Sequence, residues 1–256
     1  MNKSQDSARP FAAPCRLLGA GAPLRWLADG WRDYRTGLRA SLGYGLIVFA
    51  ISAAVSGLAW VLGSYVLVLA MLSGFIFVAP LLATGLYSIS RQLQRGESPS
   101  LGRSLKRMRL ALRDALVFAL VLLVIFLVWV RAGVMVHVFF PVGESMDIVA
   151  LLRFLAIGSA VGSIFALVTF AAAAFSLPMI VDRDADMITA CITSVNAVLR
   201  NKAAMAVWIA VIVVVTGLGF ATAGLGLIVA IPLLGYATWH GYVETIDASD
   251  WPVSPS

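Results

Sequence analysis

Charged residues are scarce in this sequence. Asp, Glu, Lys and Arg make up 12% of the 256 residues, whereas 61% of the residues are apolar. Soluble domains carry about 25% charged residues, so this composition excludes an ordinary soluble domain and is typical of an integral membrane protein. The first 23 residues contain no continuous apolar core, and no cleavable signal peptide is predicted.

Cysteine and histidine are equally rare, with two of each. Cys15 and Cys191 fit no metal-binding spacing, and no disulfide is expected between them in a reducing compartment. His137 and His240 fall near opposite faces of the predicted membrane domain described below, so the two imidazoles could not share one metal or haem. We therefore expect no metal and no other cofactor.

Acidic side chains and nucleophile motifs are missing from the apolar runs. All 13 acidic residues lie in tails or loops, which leaves no carboxylate within the membrane for a proton relay or a cation site. No serine stands in a nucleophile motif with a partner histidine. The sequence therefore predicts a protein that is not an enzyme.

Six apolar runs are long enough, or nearly so, to cross a hydrocarbon core that requires roughly 20 helical residues. The runs are continuously apolar rather than alternating, so helices are the expected spanning structure. The predicted spans are 41–62, 66–88, 115–138, 149–178, 204–220 and 223–242.

The cations mark the orientation of these spans. Seven cations precede the first span, seven lie between the second and third spans, and three lie between the fourth and fifth. Only Arg131 and Arg153 fall on the other side of the membrane. Because cytoplasmic loops are enriched in Lys and Arg, both termini are predicted to be cytoplasmic. This topology explains the net charge of +6, and nucleic-acid binding is not expected.

Each pair of spans is preceded by a segment that has helical periodicity but is too polar to cross the membrane. These segments are 24–40, 101–115 and 187–201, and each is typical of an amphipathic helix at the interface. The predicted fold is all-α and integral to the membrane, with six transmembrane helices as three hairpins, each preceded by an amphipathic interfacial helix. It forms one domain over 24–243, between a disordered cytoplasmic tail at 1–23 and a second cytoplasmic tail at 244–256.

A direct repeat relates the first and third hairpins. GFIFVAPLLATGLY at 74–87 aligns with GLIVAIPLLGYATW at 226–239, and internal repeats of this kind occur in transporters. Common structural origin and chance both remain open. Each return span also carries a proline toward its cytoplasmic half, which makes Pro80, Pro178 and Pro232 candidate binding positions.

Arg131 is the one formal charge well inside a predicted span, and an intramembrane arginine is a functional candidate by default. At 1.5 Å per residue it lies roughly 24 Å from the start of its span. From there it could snorkel into the outer headgroups or pair with Glu144 or Asp147. A substrate or lipid contact is the alternative. His137 and His240 are the other candidate binding residues.

Two polar segments carry further expectations. The basic face of 101–113 is expected to meet anionic lipid headgroups through Arg103, Lys106, Arg107 and Arg109. The loop DRDAD at 182–186 could in principle hold Mg²⁺ or Ca²⁺, but its spacing is not that of an EF-hand. We predict a solvated acidic turn whose last residue, Asp186, caps the next helix.

Several motifs together resemble a known family. They are GWRDYR (30–35), SLGYGL (41–46), APLLATGLYSISR (79–91), VWVRAG (128–133), SLPMIVDRDAD (176–186) and IPLLGYATWHGY (231–242). The set is similar to a family of predicted bacterial integral membrane proteins that is a domain of unknown function. The resemblance implies a bacterial inner-membrane location and supplies no catalytic or binding residues. The sequence departs from the family pattern at Tyr236 and Val243, where a histidine and a basic residue would be expected.

The function predicted from these features is non-enzymatic. We expect a membrane accessory or scaffold protein whose spans and interfacial helices bind lipid or a partner membrane complex. The alternative is a small-solute transporter or channel, which the repeat and the three prolines motivate. A transporter would require a polar cavity near the level of Pro80 and Pro232.

Overall fold

The computed structural model describes residues 10–62, 82–110, 112–139 and 148–254. Within these ranges the protein is helical and contains no β-strand, which confirms the all-α prediction. The helices are α1 (Ala22–Thr36), α2 (Leu38–Leu62), α3 (the helical residues 82–94), α4 (Leu101–Leu110), α5 (Leu112–Phe139), α6 (Ile148–Ala173), α7 (Ser176–Asp182), α8 (Met187–Arg200), α9 (Lys202–Ala221) and α10 (Leu227–Thr245).

Within the described residues, four stretches are long and apolar enough to cross a membrane: Leu38–Leu58, Leu116–Met135, Leu155–Asp182 and Lys202–Ala221. They coincide with four of the predicted spans. Only 11% of the most apolar window in α5 is buried within the protein, so its large apolar side chains face outward, as lipid-facing side chains do. The predicted span 66–88 lies mainly outside the described residues. The predicted span 223–242 forms α10, whose second half is more polar.

The predicted fourth span, 149–178, is broken into α6 and α7. The backbone N–H of Phe175, between the two helices, donates to Ser194 Oγ at 3.0 Å, and that hydroxyl donates to the Ala171 carbonyl at 2.7 Å. Pro178 then falls in the first turn of α7, where its missing N–H removes no helical hydrogen bond. The structure thus places this proline at a helix start, and the apolar stretch extends to Asp182.

Helix α8 turns its small residues inward, whereas α1 buries both small and aromatic residues. In α1 the buried residues include Trp26, Gly30 and Tyr34, whereas Leu24 and Trp31 are exposed. In α8 the buried residues are Ala190, Thr193, Ser194 and Ala197, whereas the large apolar residues Ile188, Ile192 and Leu199 are exposed. Small side chains allow close helix packing in membrane proteins. The exposed large apolar residues of the two helices are not covered by the rest of the described chain and are suited to contact another apolar environment.

Helix α10 packs against α1 and α2 at two glycines. A Cβ on Gly30 would lie 2.7 Å from the Ala237 nitrogen, and a Cβ on Gly45 would overlap the carbonyl oxygen of Ile228. Pro232 follows four residues after Ile228 and has no N–H to donate to that carbonyl. Gly45 therefore allows α2 to approach α10 at the carbonyl that the proline leaves without its helical donor.

The main core lies where the ends of α1, α7, α9 and α10 meet. Trp26 contacts Trp208 and Phe175 edge to face, with ring centroids 5.7 and 6.1 Å apart. The indole Nε1 of Trp26 also donates to Glu244 at 2.6 Å. This aromatic cluster lies at the end of the bundle that the cation distribution assigns to the cytoplasm.

The two chain ends differ from the predicted tails. Ala13 N donates to Thr193 Oγ1 at 3.0 Å, and Asp247 N donates to the Pro14 carbonyl at 2.9 Å. Residues 13–18 thus pack between α8 and the segment after α10. On the other side of that core, Ser254 N donates to the Asp182 carbonyl at 2.9 Å. The predicted boundary at residue 23 missed this packing because the paired segments lie far apart in sequence.

Candidate functional site

A polar cluster joins the helices α1, α3 and α10. Asp33 on α1 accepts hydrogen bonds from Ser90 of α3 and from His240 of α10, whose Nε2 lies 2.9 Å from Asp33 Oδ2. The Asp33 and His240 side chains are 15% and 21% exposed. His240, singled out from the sequence, therefore contacts a carboxylate on another helix.

The order of these hydrogen bonds does not fit a nucleophilic triad. In such a triad the histidine lies between the hydroxyl and the carboxylate, so that it can remove the hydroxyl proton. Here Ser90 and His240 both contact the same Asp33 oxygen, Oδ2. Nearby, Tyr236 and Ser41 share a buried hydrogen bond of 2.9 Å between α10 and α2. The cluster thus connects α1, α2, α3 and α10 through polar contacts.

A second network is centred on Asp182 at the end of α7. Arg91 Nε on α3 lies 3.3 Å from Asp182 Oδ1, and its Nη1 donates to the Val181 carbonyl at 3.0 Å. Tyr242 OH on α10 donates to Asp182 Oδ2 at 3.0 Å, and Arg183 Nε lies 2.9 Å from the same oxygen. The Arg91 side chain is 4% exposed. This carboxylate therefore holds three segments of the chain together.

Residues at the two ends of the loop 182–186 have different roles. The prediction of a solvated acidic turn is wrong for Asp182, which is 17% exposed and paired with two arginines. The prediction that Asp186 caps the next helix is confirmed, since its side chain accepts from Thr189 N at 3.0 Å. This backbone hydrogen bond lowers the pKa of the Asp186 carboxyl because it stabilises the charged form.

The remaining predicted site residues are scattered. Arg131 is exposed on α5, and its suggested partners at 144 and 147 lie outside the described residues. His137 belongs to α5, but its side chain also lies outside the described part, as does Pro80. Pro178 and Pro232 are both buried in helices. The described residues thus bring none of these candidates together with His240.

The predicted headgroup residues lie on and after the first turn of α4. Arg103, Lys106 and Arg109 are exposed, whereas the side chain of Arg107 lies outside the described residues. Arg103 forms an ion pair with Glu97 in the loop that precedes the helix. The exposed cations of α4 are therefore available at one surface.

Both cysteines are free thiols. Burial raises the pKa of the Cys15 thiol, and the positive charge of Arg200 and a hydrogen bond from Asn196 only partly oppose that rise. Burial also raises the pKa of Cys191. Since the thiolate is the reactive form, neither residue has the low pKa of a nucleophile.

Sequence reasoning missed Asp33, Ser90, Arg91 and Asp182 as contact residues. Each lies in a motif that carries the family resemblance, but its partner is 57 to 207 residues away along the chain. One local pattern pointed to Asp33: it follows Gly30 by one helical turn, and a small residue on a helix allows another helix to approach closely.

Residues 67–182 match the model of a family described as a predicted integral membrane protein, DUF2189. The resemblance to a family of integral membrane proteins of unknown function is therefore confirmed for this part of the chain. The matched range includes Arg91 and Asp182 and ends before α8. No curated protein and no solved structure matches the chain.

Proposed function

We propose that the protein is a non-enzymatic accessory or scaffold protein of the bacterial inner membrane, which binds lipid or a partner membrane complex. In this proposal the chain crosses the membrane six times, both termini are cytoplasmic, and α1, α4 and α8 are amphipathic helices at the cytoplasmic interface. The internal repeat at 74–87 and 226–239 would relate the first and third hairpins.

The observation that carries this proposal is the outward apolar face of α8. Ile188 and Leu199 are 59% and 58% exposed, while the opposite face of the same helix is buried against the protein. Arg200 and Lys202 are exposed at the end of this helix. Apolar residues beside cations suit a surface formed by lipid tails and anionic headgroups. Helix α1 repeats the arrangement with Leu24 and Trp31 next to Arg25 and Arg32.

The polar clusters support a structural rather than a catalytic role. The hydrogen bonds of Asp33 and Asp182 connect helices to one another, and His240 contacts a carboxylate rather than a nucleophile. Around Pro232, the neighbouring residues Val229 and Ile231 pack against a cluster that includes Tyr44 and Leu86. This packing gives the transporter alternative no support.

Photo-crosslinking tests the accessory role. A photoreactive side chain at Ile192, on the outward face of α8, is expected to give a discrete protein adduct in native membranes. The matched control is Val213 on α9, which is 63% exposed and is expected to face lipid tails only. Identical lipid-only adducts at both positions would contradict the binding of a partner complex at this face.

A reporter fusion tests the topology. A reporter that is active only in the cytoplasm should be active after Ser256 and inactive when inserted at Glu144, because the cation distribution places these positions on opposite sides. Whole-cell reporter activity, normalised to the amount of fusion protein, is the measurement. An active reporter at Glu144 together with an inactive reporter after Ser256 would show that the topology is the reverse of the proposed one.

A further inference from the structure

A cavity of about 360 Å³ lies between the end of α3 and the start of α4. Four cations line it: Arg91, Arg95, Arg103 and Lys106. Among the described lining residues, Glu97 is the single carboxylate, and Ser88 and Gln92 are polar side chains. The lining therefore carries a net positive charge and favours an anion.

Two of the four cations have their charge offset within the protein. Arg91 pairs with Asp182, and Arg103 pairs with Glu97. Arg95 and Lys106 are exposed, and no carboxylate of the described chain lies within ion-pair distance of either. These two residues supply the charge that an incoming anion would neutralise.

The backbone holds this cavity open in a defined shape. Gly96 ends α3 with a φ of +71°, and its N–H donates to the Leu93 carbonyl at 2.9 Å while Glu97 N donates to the Gln92 carbonyl at 2.9 Å. This pair of bonds is the Schellman ending of a helix, in which glycine adopts the left-handed conformation without strain. The chain therefore turns sharply and brings α4 back beside α3.

The side-chain amide of Gln92 fixes the position of the start of α4. Its Oε1 accepts from Ser100 N at 3.0 Å, and its Nε2 donates to Ser104 Oγ at 3.2 Å. Gln92 and Ser104 are 7% and 1% exposed. Because both ends of this amide are engaged with α4, Arg103 and Lys106 are held facing Arg95 across the cavity before any ligand arrives.

We propose that this cavity binds the phosphate of an anionic phospholipid headgroup. The inference rests on the proposed function, which places α4 at the cytoplasmic interface just before the apolar stretch that begins at Leu116. At that position the cavity lies at the depth of the headgroups, and basic pockets between transmembrane helices bind such groups. Arg95 and Lys106 contact the phosphate oxygens, and the acyl chains extend along the apolar surface of α5.

The test measures lipid binding by the purified full-length chain in a neutral detergent. Native mass spectrometry is used to titrate phosphatidylglycerol, with phosphatidylcholine as the neutral comparison. Arg95→Gln combined with Lys106→Gln is expected to weaken phosphatidylglycerol binding about 30-fold, since each cation near an anionic lipid contributes about fivefold. The Glu97→Gln variant is expected to bind more tightly, because it removes a carboxylate that lines the cavity.

The matched control removes the same charge elsewhere. Arg16→Gln combined with Arg153→Gln alters two exposed cations that do not line the cavity, and it is expected to change binding less than about twofold, as surface charges outside the site are screened. Equal losses in the two double variants, or no loss in either, would overturn the proposal. Unchanged apparent melting temperatures show that the variants are folded.

A competition arm separates the lipid from a soluble anion. Inorganic phosphate and glycerol phosphate are expected to displace phosphatidylglycerol only at concentrations far above that of the lipid. Displacement at matched concentrations would assign the cavity to a free phosphate and overturn the lipid proposal. Because this assay needs no partner protein, its failure is distinguishable from a failure of the crosslinking at Ile192.

Discussion

Replacing Gly45 by alanine is expected to lower the free energy of unfolding by about 3 kcal/mol or more, at the upper end of the cost of overpacking a well-packed interior. The new Cβ would overlap the carbonyl oxygen of Ile228 on α10. That oxygen belongs to the backbone and cannot rotate away, so α2 and α10 would have to separate. The apparent melting temperature of the purified chain in mild detergent is the measurement.

The size of this effect follows from Pro232. A proline inside a helix removes the hydrogen bond to the carbonyl four residues earlier, which here is the Ile228 carbonyl. Separating α2 from α10 would therefore leave the Ile228 carbonyl, which already lacks its hydrogen bond within the helix, without a packing neighbour on α2. It would also disturb the buried hydrogen bond between Tyr236 and Ser41, which crosses the same pair of helices.

Gly57 provides the matched control within the same helix. A Cβ at Gly57 would meet nothing within 4 Å, and alanine is a better helix former than glycine by about 1 kcal/mol. Gly57→Ala is therefore expected to leave the melting temperature unchanged or to raise it. Similar melting temperatures for the Gly45→Ala and Gly57→Ala variants would show that α2 and α10 do not pack as closely as described.

The elements that follow from local pattern could be predicted from the sequence. Continuous apolar runs predicted the long helices, because length and composition alone determine whether a helix can cross a membrane. The segment 187–201 was predicted as a separate helix capped by Asp186, since an acidic residue before a periodic apolar segment is itself the cap. The structure begins α8 at Met187 and shows that cap.

Which face of each helix is buried could not be predicted from the sequence pattern. In a soluble protein the large apolar face of a helix is buried, and the sequence alone assigns Trp31 and Ile192 to apolar faces without saying what covers them. In the structure the buried face of α8 consists of small residues such as Ala190, whereas that of α1 combines Gly30 with Trp26 and Tyr34. Lipid is as apolar as a leucine side chain, so the position of the large apolar residues does not by itself decide which face turns inward.

The polar contacts between distant segments could not be predicted, because they produce no periodic pattern in the sequence. Asp33 and His240 are 207 residues apart, and Arg91 and Asp182 are 91 apart. Asp33 lies in a predicted interfacial helix and His240 in a predicted span, whereas Arg91 and Asp182 lie in segments between predicted spans, and none of these positions indicates a partner. Their pairing depends on how α1, α3, α7 and α10 come together at one end of the bundle. Only the three-dimensional arrangement therefore distinguishes a buried carboxylate such as Asp182 from an exposed one.

Replacing Asp182 by asparagine is expected to have the second largest effect, a loss of about 2–3 kcal/mol in the free energy of unfolding, below the full cost of breaking a buried ion pair because the Asp182 side chain is 17% exposed. The Arg91 side chain, 4% exposed, would retain its positive charge in the interior. Tyr242 and Arg183 would lose the same carboxylate as a partner. Thermal unfolding of the purified chain in mild detergent measures the loss.

A double-mutant cycle separates this buried pair from a general loss of negative charge. Combining Asp182→Asn with Arg91→Gln should cost less than the sum of the two single variants, because both changes remove the same ion pair. The exposed pair of Asp29 and Arg32, with side chains 35% and 75% exposed, is the control, and Asp29→Asn should cost no more than about 1 kcal/mol. If the Asp182→Asn loss were as small as that of Asp29→Asn, the Asp182 network would be solvated rather than buried. The described ends of α3, α7 and α10 would then not be joined through this carboxylate.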